Sequence, residues 1–116
     1  MAVDPLVYPP GQGKAAQNYA RLSPRWTDTR VLAANTNQTH TVPDWADTVF
    51  FGSDDVFFAK KNGAASVPSG TTTDGTGSEA NPGSWTLKGD PDGDTTSIGL
   101  ISPYTCIVTL TFARMN

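Results

Sequence analysis

Residues 105–114 read TCIVTLTFAR, and this stretch decides the class of fold. Cys106, Val108, Leu110 and Phe112 alternate with Ile107, Thr109, Thr111 and Ala113. Successive side chains of a strand point to opposite faces, so a period of two describes a strand with one buried face. A helix would repeat its apolar positions every three to four residues instead.

Working outward, similar short runs are separated by turn residues. TSIGLIS (96–102) precedes Pro103, SWTLKG (84–89) lies before it, and QTHTVP (38–43) and TRVLAANT (29–36) lie near the start. TVFFG (48–52) and VFFAKK (56–61) flank SDD, which predicts a hairpin around a polar turn. Phe50/Phe51 and Phe57/Phe58 put an aromatic on both faces of that hairpin, which predicts cover on both sides, by an extra layer or a subunit contact. Residues 62–84 are rich in Gly, Ser, Thr, Asn and Pro, with Val67 the only large apolar residue before Trp85. That run predicts a large loop or short edge strands, of the kind that carries interactions. The expectation is an all-β domain of six to eight short strands in a two-sheet β-sandwich, with a jelly roll as one form of it.

Composition agrees with that class. Among 116 residues there are 11 Gly and 9 Pro, and only 16% are charged, too few helix formers for long helices. The length fits one domain. We read residues 1–28 as an extended N-terminal arm and 29–116 as the sandwich. Three prolines in residues 4–13 rule out a central strand or helix there, while residues 14–23 allow a short helix before Pro24. Leu6, Val7, Tyr8, Tyr19, Leu22 and Trp26 are too many apolar anchors for a free solvated tail, so the arm is expected to pack on its own body or a neighbouring subunit.

The charge is uneven. Residues 1–30 carry four cations against two acids, a net of +2, and residues 31–116 carry four cations against nine acids, a net of −5. An acidic body is a poor phosphate binder, which argues against nucleic acid as a partner. No apolar run approaches the length that spans a bilayer. The opening MAVDPLVYPPGQG has neither the basic nor the apolar region of a secretory signal, so production in the cytoplasm is expected.

Candidate chemistry is sparse. His40 is the only histidine, which excludes a His-rich zinc site, and between threonines it reads as a surface or edge residue rather than a base. Cys106, alone and on the inner face of its strand, reads as a small core residue. GTTTDGTG lacks the trailing Lys-Ser or Lys-Thr of a phosphate loop. Asp54–Asp55 belongs to a turn, and Asp74 and Glu79 flank a Gly-rich one. In KGDPDGDTTS (88–97), Asp90, Asp92 and Asp94 have the alternate spacing of calcium ligands, but the twelfth position is Ile101 and the glycine comes fourth instead of sixth. We read that stretch as an acidic turn, with calcium as the weaker alternative. No enzyme activity and no cofactor are expected. Three tryptophans and three tyrosines leave a sugar-binding sandwich as a further alternative.

The succession of TVPDWADTVFF, FFAKKNGAASVPSGTTTDGTGSEANP and SIGLISPYTCIVTLTF, across about residues 40–114, resembles small structural proteins of tailed bacteriophages. The resemblance implies a β-sandwich in a symmetric homo-oligomer, with a trimer as the working guess. It implies a place in the virion as a capsid decoration (cement) protein, a head-fibre base or a tail or head–tail component. The major capsid protein or other virion proteins would be its partners. The expected assembly interface comprises Leu6, Val7, Tyr8, Tyr19 and Trp26 of the arm with Phe50 and Phe57 of the body.

Overall fold

A computed structural model describes residues 25–89, 91 and 93–115. Arm residues Leu6, Val7, Tyr8 and Tyr19, the helix expected in 14–23, and Asp90 and Asp92 lie outside the described residues. Eight strands follow in order: β1 (Arg25–Leu32), β2 (Gln38–Thr41), β3 (Thr48–Ser53), β4 (Phe58–Lys61), β5 (Glu79–Ala80), β6 (Ser84–Thr86), β7 (Ser97–Ile101) and β8 (Cys106–Ala113).

They form two four-stranded antiparallel sheets. Sheet one has the order β1-β8-β3-β6 and sheet two the order β2-β7-β4-β5. Four of the pairings are nested: β1 with β8, β2 with β7, β3 with β6 and β4 with β5. Two cross-pairings, β3 with β8 and β4 with β7, wrap that nested set into a sandwich. This is jelly-roll topology.

The alternation in β8 is what seats the core. Cys106, Val108, Leu110 and Phe112 are buried, joined by Val49, Trp85, Leu32, Phe57, Ile98 and Leu100 from the strands and segments around them. A central strand flanked by β1 and β3 must bury its inner face completely, and it does.

Two expectations need correction. First, β1 begins at Arg25, so residues 25–28 belong to the sandwich and Trp26 is a strand residue instead of an arm anchor. Second, residues 48–61 are not a hairpin, because β3 lies in sheet one and β4 in sheet two. The polar turn between them is tied elsewhere. Asp54 N donates to Ile107 O (3.2 Å), Ile107 N donates to Asp54 Oδ1 (2.8 Å), and Phe57 N donates to Asn81 Oδ1 (2.9 Å). Phe57 dives into the core opposite Phe51, with ring centroids 5.8 Å apart, and the chain crosses from one sheet to the other there.

The long 62–84 segment contains β5, enters sheet one at Ser84 of β6, and near its start lies against sheet two. At Gly99 of β7 an added Cβ would collide with the carbonyl of Gly63 and lie 2.7 Å from Ala65 N. Ala65 N is itself anchored on Asn37 Oδ1 (2.8 Å). That cover explains why Ile98, Gly99, Leu100 and Ile101 are all buried, on both faces of β7.

Candidate assembly surface

The two sheets have unlike outer faces. On sheet two the 62–66 stretch lies against β7, as above. On sheet one the outward positions are Thr27, Thr29 and Val31 of β1, Ile107, Thr109 and Thr111 of β8, Thr48 and Phe50 of β3, and Ser84 and Thr86 of β6. Among the described residues, charge lies only at the margins of this face: Arg25 takes the outward register at the start of β1, and the Asp54 carboxylate stands beside Ile107, accepting from its N–H at 2.8 Å. Val31 is 60% exposed and Ile107 44%. Phe50 is half-buried and stands beside Thr111, its partner on β8. The Thr27 and Thr111 hydroxyls meet across the strands at 3.0 Å, so part of the polarity of the face is already satisfied within it. At Gly52 the sheet dips, since a Cβ there would lie 2.8 Å from Thr109 Oγ1.

The expected interface residues therefore separate. Phe50 stands on the bare face. Trp26 is 56% exposed at the outer edge of the sandwich, with its indole N–H donating to Asp28 Oδ1 (2.7 Å). Phe57 is 1% exposed and packed in the core, so no partner can reach it. Val31 and Ile107 were missed. The signal was present in the alternation of β1 and β8, where they take the outward register among threonines.

Inside the same edge runs a polar seam that sequence reading also missed. In β1 the inward register is Trp26, Asp28, Arg30 and Leu32, which places two charges beside the core. His40 of β2 stands between them. Its Nε2 lies 2.7 Å from Asp28 Oδ2, and Arg30 Nε donates to its Nδ1 at 2.9 Å. Because Nδ1 accepts from a guanidinium, the proton of the neutral ring sits on Nε2 and is donated to the carboxylate. Arg30 also donates to Gln38 Oε1 (3.1 Å), and Gln38 Nε2 donates to the Val31 carbonyl (2.8 Å). The imidazole stacks on Phe112 with centroids 5.6 Å apart. His40 does stand on an edge strand, as one form of the expectation had it, but it is not a surface residue: it is 8% exposed and both ring nitrogens are occupied. The seam fastens β1 to β2 across the two sheets, and it blunts the free edge of β1 at Val31.

The remaining candidates resolve into structural roles. Cys106 is buried, and desolvation, with the Asp54 carboxylate beside it, pushes its thiol above the ordinary range. Asp74 is a turn residue whose carboxyl is held low by the Thr76 hydroxyl and amide, at 2.7 and 3.1 Å. Asp94 accepts from Gly89 N at 3.3 Å, closing the acidic turn, while its two companions in the calcium alternative lie outside the described residues. Comparison with protein-family models, with curated proteins and with solved structures returned no match.

Proposed function

We propose that this chain is a non-enzymatic structural protein of a tailed-phage virion, acting as a capsid decoration or cement protein. One observation carries the reading: the described residues leave the Thr-rich outer face of sheet one bare, with charged residues only at its margins, whereas the chain's own loop lies against sheet two. Burying the centre of such a face strips no ion of its water, and stiff Thr and Val side chains lose little freedom on contact. Interface cores are depleted in charge in the same way. The jelly roll is one of the architectures that viral capsid domains use, though it serves lectins and cupins as well, so the face and not the fold supports the reading.

The size of the face bears on how the protein would hold its neighbour. Four strands about 4.8 Å apart and at most eight residues long at roughly 3.3 Å per residue offer at most roughly 500 Å². With a partner's matching surface this reaches about 1,000 Å², the lower limit for a specific contact. A second contact would therefore be needed. Residues 1–24, with Leu6, Val7, Tyr8 and Tyr19 and more cations than acids, would supply it on an acidic neighbour such as another copy of the body.

The double substitution Val31→Glu with Ile107→Lys tests the face. The two residues are exposed cross-strand partners, so the opposite charges do not repel, and the variant should fold with a melting temperature close to the parent's and lose attachment to phage particles in a sedimentation assay. Attachment as tight as the parent's would sink the proposal. Antibody labelling of intact particles then separates a capsid position from the alternative of a tail or head–tail component.

A further inference from the structure

A groove of about 700 Å³ opens at the other edge of the sandwich, where β4 and β5 of sheet two face β6 of sheet one. That volume is typical of small-molecule sites. Its floor is Trp85, 9% exposed, which meets Phe51 edge-on at 5.0 Å. The Trp85 indole N–H donates to Glu79 Oε1 at 2.8 Å, fixing that carboxylate at the rim. Lys61 Nζ stands 5.5 Å above the same ring and donates to the Thr86 carbonyl at 3.4 Å. Gly75 (φ 87°) and Gly93 (φ 103°) line the walls, and an added Cβ at either would meet nothing within 4 Å.

Thr95 closes the inner wall. It is 4% exposed, and its hydroxyl is the buried side-chain polar atom without a hydrogen-bond partner among the described residues. Native chains rarely leave such a group unpaired, because the lost hydration is not recovered.

We infer that this groove binds a neutral, hydroxyl-rich ligand of the saccharide class. A carboxylate and an ammonium fixed on the same aromatic ring present an acceptor and a donor side by side. An anionic ligand would meet Glu79 and an acidic body, and a cationic one would meet Lys60 and Lys61. An apolar ligand would find little of Trp85 to cover and would strip two charges of water. A sugar hydroxyl both donates and accepts, and so matches the lining without a repulsive partner. The inference stands apart from the assembly proposal, since the groove and the bare face lie on different surfaces and neither requires the other.

Amide-shift titration of the isotope-labelled full chain with cellotetraose, chitotetraose, maltotetraose and galactose, each at millimolar concentration, is the test. Saturable shifts centred on Lys61, Gly75, Glu79 and Gly93 are expected with at least one of them. Glu79 is exposed on a two-residue edge strand, and Glu79→Ala should weaken that binding about tenfold or more; the Trp85 indole N–H loses its acceptor in the variant, so a lower melting temperature accompanies the loss. Absence of shifts with all four sugars, or shifts confined to residues away from the groove, would overturn the inference. So would parental affinity in Glu79→Ala; the parent titration decides the matter even where the variant does not fold.

Discussion

Gly99 is the residue on which the second sheet's cover depends. A methyl group there collides with the Gly63 carbonyl and crowds Ala65 N, both backbone, and neither can swing away like a side-chain tip. Overpacking of this kind costs about 1–3 kcal/mol and more where backbone must move. Gly99→Ala should therefore lower the free energy of unfolding in urea by at least about 2 kcal/mol. Gly77→Ala, where the added group meets nothing, is the control and should change it by under about 0.5 kcal/mol. Cys106 makes a prediction at alkaline pH. Its folded thiol titrates above the unfolded one, so the folded state holds its proton where the unfolded state has lost it. Stability is then fully present below the unfolded thiol's value of about 8.5 and falls as pH rises above it. Unfolding midpoints measured across that window should decline, and Cys106→Ala should flatten the decline; an equal slope in the variant would assign the effect to other groups.

Among the elements, the β1–β2 seam is the place where polar chemistry replaces apolar packing. His40→Ala leaves Asp28 Oδ2 and Arg30 Nε without their partner and removes the ring stacked on Phe112. Two stranded polar groups make a loss of about 2–3 kcal/mol the expected result. Hydrogen exchange should show β1 amides opening first, ahead of β3 and β8; uniform loss of protection would mean the seam is not what holds β1. The elements also show what could be read from the chain alone. β8 was legible as far as Phe112, because a half-buried strand writes its burial as alternation; Ala113, in the outward register, is buried as well and breaks the pattern. The 48–61 region was not, because pattern specifies strands and turns but not which sheet each strand enters. An aromatic-rich run around a polar turn looks the same whether the chain doubles back or crosses over. The start of β1 was obscured for a related reason. Asp28 and Arg30 occupy inward positions, and charge in that register reads as loop until a partner for it is known. Phe57 was assigned to an interface on aromatic character, which does not distinguish core from contact. Phe50 differs from it only in facing outward.

At the scale of the whole molecule, asymmetry between the two outer faces is what organises the functional reading. If the bare face is an assembly surface, the parent chain should self-associate or bind particles in a manner only weakly sensitive to salt, because charge lies at the margins of the face and not at its centre. Contacts through residues 1–24 should weaken as salt rises. Binding of the parent and of a variant lacking residues 1–24, measured across ionic strength, separates the two; a salt dependence equal in both would remove the arm from the mechanism. The deletion must stop at residue 24, since Arg25 already pairs with Ala113. The nested pairing has a consequence for synthesis. Strand β8 holds the middle of sheet one, with β1 on one side and β3 on the other, and it is the last of the eight strands to leave the ribosome. Until it emerges, β1 and β3 have no common neighbour and sheet one cannot close. A chain interrupted before residue 106 therefore lacks the closed outer face of sheet one, and the assembly proposed above would be open only to molecules translated through β8.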